Sequence, residues 1–233
     1  MMRIGFPILL AALVIAPACA KKGPSCEVPA TLPRPMLEGP TVDQPRRVLP
    51  IGGYTLAVSW SPQYCVGKAS SPQDHIQCGG ANSFGFTLHG LWPDGEGAQW
   101  PQYCEPTRLV PDKVVRDHLC STPSPQLIQH EWEKHGTCMA KTPADYFARS
   151  GKLFSDLVFP DMKDVSGRSM TAADFQKRFA AANPGMRPEE MRLNLSKTGW
   201  LEEVWICLDK QFHRQACPAH QGGAAPGQVV RIR

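Results

Sequence analysis

The chain has 233 residues, 42% of them apolar and 20% charged. That composition belongs to one globular domain with tails, and it excludes a disordered or fibrous protein. The net charge of +4 is carried by scattered basic residues, with Lys21-Lys22, Arg46-Arg47 and Arg231/Arg233 forming no dense patch, which argues against a high-affinity polyanion binder.

Met1-Met2-Arg3 is a short positive region, residues 4–15 are apolar, and Ala18-Cys19-Ala20 fits a small-x-small cleavage site. Residues 1–20 therefore read as an export signal, cleaved after Ala20. The apolar run is too short for a membrane span, and no later segment could cross one. Lipid attachment at Cys19 is a rival, disfavoured because Ile15-Ala16-Pro17-Ala18 lacks the usual Leu. Without Cys19 eight cysteines remain: Cys26, Cys65, Cys78, Cys104, Cys120, Cys138, Cys207 and Cys217. An even set in an exported chain suggests up to four disulfides, whose pairing arithmetic leaves open. The absence of any C-x-x-C pair argues against a cysteine zinc site.

Residues 21–50 are Pro-rich without periodicity and are expected to form an extended arm pinned by Cys26. Residues 54–60 read as a strand, and 61–80 as a loop carrying Cys65 and Cys78. Residues 84–89 alternate and form a second strand, ending at His89. Gly90 then allows a tight turn or a close approach, before Leu91-Trp92-Pro93-Asp94 supplies an aromatic face and a carboxylate. A helix is expected over 111–119, and another over 125–135, closed by Gly136 as its C-cap. Thr142-Pro143-Ala144-Asp145 opens a helix to about residue 157, and Thr171-Ala172-Ala173-Asp174 another to about residue 182. Residues 201–208 and 211–216 suggest a hairpin, and 228–232 a last strand. Helices in the middle with strands at both ends indicate an α+β fold. The organisation is then a signal (1–20), an arm (21–50) and a folded domain (51–233).

The segment H-E-W-E-K-H packs His130, Glu131, Glu133, Lys134 and His135 into six positions. The zinc motif H-E-x-x-H has its histidines four apart. Here they are five apart, so on a regular helix they diverge by roughly 140° and cannot share an ion. Glu131 shares a face with Lys134 and His135, and His130 with Lys134. A face holding acid, ammonium and imidazole suits an anion whose charge grows during reaction. With His89 the chain offers two imidazoles, a carboxylate and an ammonium, a set suited to metal-free cleavage of a phosphodiester. His75, His118, His213 and His220 have no motif around them and receive no role.

H-G-L-W-P-D at 89–94 and H-E-W-E-K-H-G-T-C at 130–138, in this order, resemble the two active-site segments of the ribonuclease T2 family of secreted acid endoribonucleases. Supporting matches lie at 54–65, 206–209 and 216–218, so the resemblance covers about residues 51 to 230. It implies a central antiparallel sheet with helices packed alongside and disulfides Cys104–Cys138 and Cys207–Cys217, leaving open the pairing of Cys26, Cys65, Cys78 and Cys120. It also implies roles: His135 as general base toward a ribose 2′-OH, His89 as general acid toward the departing 5′-oxygen, and Glu131 and Lys134 as stabilisers of the transition state. His130 would hold phosphate, Trp92 would stack on a base, and Asp94 would accept from an adenine amine.

The expected partner is RNA, acted on by a monomer without metal or cofactor in the periplasm or the medium. A catalytically silent RNA-binding relative is the alternative. It predicts loss of a catalytic histidine, and His89 and His135 are both present.

Overall fold

A computed structural model describes residues 25–233; the export signal expected at 1–20, with Cys19, lies outside them. β1 (Ile51–Trp60) alternates, burying Tyr54, Leu56, Val58 and Trp60 against the core and turning Thr55, Ala57 and Ser59 to the opposite face. Two single turns follow, α1 (Ser61–Tyr64) and α2 (His75–Cys78), where a plain loop is expected from the sequence. Then come β2 (Phe86–Gly95), α3 (Asp112–His118), α4 (Pro125–Lys134) and α5 (Pro143–Ser155). The chain ends with α6 (Met162–Val165), β3 (Met170–Thr171), α7 (Ala172–Ala182), β4 (Met191–Leu195), β5 (Leu201–Leu208) and β6 (Val229–Val230).

Four strands form an antiparallel sheet in the order β2-β1-β5-β4. The helices cover one face, where Val115, Ile128, Trp132, Tyr146, Phe147, Phe175 and Phe179 pack on the sheet's inward side chains. The fold is thus the α+β class expected. Ser124, Thr142 and Thr171 cap α4, α5 and α7 by accepting from Leu127, Asp145 and Asp174 amides, each cap contributing about 1 kcal/mol.

Among the strands after α7 the structure departs further from the sequence-based elements. Residues 211–216 form no strand: Asp209 Oδ1 accepts from the Gln211 and His213 amides, and an irregular return leaves one bridge, Leu208↔Arg214. The ladder partners of β5 are instead β1 and β4, and β4, five residues long, is too short to announce itself by periodicity. The last strand shrinks to Val229–Val230, paired with β3.

Four disulfides, Cys26–Cys120, Cys65–Cys78, Cys104–Cys138 and Cys207–Cys217, use all eight cysteines among the described residues. The first spans 94 residues and pins the segment before β1 to the end of α3.

Candidate active site

His89 does not end its strand. The β1–β2 register slips between Ala57↔Gly90 and Val58↔Leu88, so His89 is the extra residue of a β-bulge. A bulge re-aims a side chain out of the regular alternation. The His89 ring lies between two carboxylates: Nδ1 is 2.6 Å from Glu203 Oε1, and Nε2 is 3.5 Å from Glu131 Oε1. Glu203 also accepts from Ser59 Oγ and Trp205 Nε1, each at 2.8 Å. This short contact with a fixed carboxylate places a proton on Nδ1 and leaves Nε2 for chemistry. The adjacent Gly90 makes no turn. A Cβ there would lie 1.7 Å from Glu131 Oε2, so its lack of a side chain admits that carboxylate.

Glu131 sits on the inner side of α4 and is 1% exposed. Its Oε2 accepts from Trp92 Nε1 at 2.8 Å and Tyr146 Oη at 3.4 Å. Tyr146 in turn accepts from the Leu91 amide, and its one hydroxyl proton is shared between Glu131 Oε2 and the Leu91 carbonyl, tying α5 to β2. Burial raises the Glu131 pKa, against the pull of His89, His130, the Trp92 hydrogen bond and Lys134.

α4 ends at Lys134, and His135 is its C-cap at φ −113°, ψ −47°. Gly136 is not a left-handed cap, contrary to expectation. It opens the 3₁₀ turn Gly136–Cys138, and a Cβ there would meet the Trp132 ring at 2.4 Å. Leaving the helix also removes the phase argument against a shared ion. The His130 and His135 rings are 6.4 Å apart, and one ligand atom from each of His130, Glu131 and His135 lies within 4.8 Å of the others. The trio could therefore hold a cation sterically. Two polar atoms here, Glu131 Oε1 and His135 Nδ1, are buried without a hydrogen-bond partner, and a bound ligand would satisfy them.

The two histidines stand in opposite fields. Burial works against a charged His89, but the Glu203 hydrogen bond and the charges of Glu131 and Glu203 outweigh it and hold its pKa above the ordinary value. Burial pushes His135 well below the ordinary value, and Lys134, His130 and His89 push the same way. Lys134 is lowered by burial, with Arg47 adding to that and Glu131 and Glu38 opposing it.

Trp92 meets His89 edge-on at 5.0 Å and Trp205 at 5.2 Å, and its ring centre is 5.6 Å from that of His135. Asp94 Oδ2 accepts from Thr55 Oγ1 at 2.7 Å. Burial raises its pKa against hydrogen bonds from Thr55 and Gln221.

His89, Trp92, Asp94, His130, Glu131, Lys134 and His135 all line one cleft of about 610 Å³. The sequence does not disclose Glu203, Tyr146 or Trp205. Glu203 and Trp205 occupy alternate positions of β5 and so share a face, but only the pairing Ser59↔Glu203 and Ala57↔Trp205 shows that this face bears the site. His220, given no role from the sequence, lines the cleft as well.

Comparison with known proteins bears on the whole arrangement. The chain is 29% identical over 179 residues to a probable ribonuclease of Haemophilus influenzae, covering 72% of this chain and 61% of that protein. It is 33% identical over 164 residues to a ribonuclease of Aeromonas hydrophila, covering 68% and 72% respectively. Its fold matches that of trichomaglin, described as a novel S-like ribonuclease, with a TM-score of 0.64 at 23% identity over 78% of this chain and 97% of that one. The model of the ribonuclease T2 family matches residues 51–217. Both histidine segments and the whole central sheet fall inside that match, and the chain belongs to the ribonuclease T2 family.

Proposed function

We propose that the protein is an exported, metal-independent endoribonuclease that cleaves single-stranded RNA by 2′-OH transesterification. Support comes from the opposed environments of two histidines lining one cleft. At mildly acidic pH a neutral His135 can accept the 2′-OH proton while a protonated His89 delivers one to the 5′-oxygen. The 2′-oxygen bonds to phosphorus, the P–O5′ bond breaks, and a 2′,3′-cyclic phosphate results. Water then opens the ring to a 3′-phosphate with the histidines in exchanged roles.

Because the 2′-OH already adjoins its phosphate, positioning contributes much of the rate. The Lys134 ammonium offsets charge on the equatorial oxygens. Glu131, with Oε1 3.5 Å from His89 Nε2, joins Lys134 in stabilising the transition state by holding the imidazolium beside the same oxygens. His130 holds phosphate, Trp92 stacks on a base, and Asp94 accepts from an adenine amine. DNA lacks the 2′-OH and is left intact.

Export to periplasm or medium agrees with four disulfides. Among the described residues no helix is long and apolar enough to cross a membrane. We expect a monomer.

The test is incubation of purified protein with RNA and with the matching DNA in excess EDTA, followed by analysis of product ends. Cyclic and 3′-phosphate ends from RNA alone are expected. Loss of cleavage in EDTA, restored by zinc, would instead assign His130, Glu131 and His135 to a metal.

A further inference from the structure

Residues 25–50 lie outside the family match, yet they reach the cleft. Glu38 Oε2 bonds His130 Nδ1, and Glu38 Oε1 accepts from Gln126 Nε2 at 2.7 Å. Behind this contact stands Glu133, a carboxylate 4% exposed that the reaction does not use. Its Oε2 accepts from the amides of both Glu38 and Gly39 at 3.0 Å, and its Oε1 takes Gln129 Nε2. Gly39 has φ +71°, a left-handed conformation that lets two successive amides converge on one oxygen as an anion nest. The stretch is anchored on both sides, by Cys26–Cys120 and by the Arg47↔Gln102 bridge, and Gln44 within it lines the cleft.

We propose that this N-terminal arm is part of the substrate-binding machinery, with Glu38, clamped by Glu133, acting as a positioning residue that locks the His130 ring for an RNA phosphate. A carboxylate bonded to Nδ1 fixes the tautomer and the ring plane and leaves Nε2 as the ligand-facing nitrogen. An unbonded imidazole on the rim of a cleft would have to give up rotamer freedom on binding. Placed directly against phosphate, Glu38 would repel it. Placed behind an imidazole, it orients the group that attracts it.

The inference rests on the ribonuclease reading for the identity of the ligand, so its test is a binding test. Full-length protein is titrated with a short 2′-O-methyl RNA, which binds but cannot be cleaved. Glu38→Ala should raise Kd about fivefold, ~1 kcal/mol, while Glu38→Gln, which retains an acceptor for Nδ1–H, should recover most of the loss. In a His130→Ala background Glu38→Ala should change Kd no further. On cleavable RNA the Glu38→Ala loss should fall on KM rather than kcat. Wild-type affinity in Glu38→Ala, or an equal loss with and without His130, would overturn the proposal, the second outcome assigning Glu38 to arm folding alone. Failure of the wild type to bind would overturn it too. A wild type that binds the methylated RNA but does not cleave RNA would refute the ribonuclease reading and leave this one to be decided by the Kd values.

Discussion

The two catalytic candidates are the same residue type placed in contrasting surroundings. His89 sits on a bulge of the sheet between the carboxylates of Glu131 and Glu203. His135 sits where α4 ends, buried beside Lys134 and His130, with its Nδ1 unpartnered. Carboxylates stabilise the imidazolium on one side, and burial and cations stabilise the neutral ring on the other. In the proposed reaction, environment rather than residue identity would assign acid and base, and each assignment can be broken at its source.

The largest expected effect is removal of either ring. His89→Ala and His135→Ala should each lower kcat on RNA by about 10³-fold. The double variant should be little worse than the poorer single, because the two act as a unit. Single-turnover rates, with circular dichroism to confirm folding, measure this. A rate near wild type in either variant would remove that histidine from the mechanism. Gly90→Ala should come next. Its methyl would land on the buried Glu131 carboxylate, which is held by Trp92 and Tyr146 and cannot swing freely. Displacing a charge stabiliser should reduce kcat on the order of 10²-fold with a stability loss of roughly 1–3 kcal/mol. A Gly90→Ala enzyme of normal rate would show that Glu131 is not needed where it stands.

The contrast itself is sharpened by Glu203→Gln, which keeps an acceptor for His89 Nδ1–H and removes the charge. His89 must be protonated to act as acid, so activity is lost as pH rises through its pKa, which lies above the ordinary value. His135 must be neutral to act as base, so activity is lost as pH falls through its pKa, well below the ordinary value. Glu203→Gln should draw the alkaline limb of the kcat/KM profile to lower pH, leave the acid limb in place, and cost about tenfold on the alkaline side. The limbs report the coupled site, but only one of them should move. A shift of the acid limb instead would reverse the assignment.

What the sequence discloses and what it hides follow from distance along the chain. Helix starts are local: Ser124, Thr142 and Thr171 each cap from within their own segment. The two histidine segments carry their chemistry within a few residues. The bulge at His89 is legible only from the partner strand, because a register slip belongs to a pair. Glu203 reaches His89 across 114 residues and Glu38 reaches His130 across 92, and no periodicity encodes either meeting. The helix-phase argument fails for a different reason. It holds for a regular helix, and His135 is the first residue beyond one.

The smallest predicted effect extends the same rule to a third group. Asp94 matches a position that would accept a hydrogen bond from an adenine amine, a task that calls for the ionised carboxylate. One of its oxygens already accepts from Thr55, and burial holds its pKa above that of an ordinary aspartate. Asp94 should thus lose its charge at a higher pH than an exposed aspartate would, and with it the charge-assisted part of the contact. The ratio of kcat/KM for dinucleotides with adenosine rather than uridine on the upstream side should fall about threefold as the assay is taken from mildly to strongly acidic pH. In Asp94→Asn the ratio should be low and flat throughout. A ratio in the wild type that does not respond to pH would mean that Asp94 serves Thr55 and the β1–β2 pairing rather than the base. Asp94→Asn would then alter stability and leave base choice unchanged.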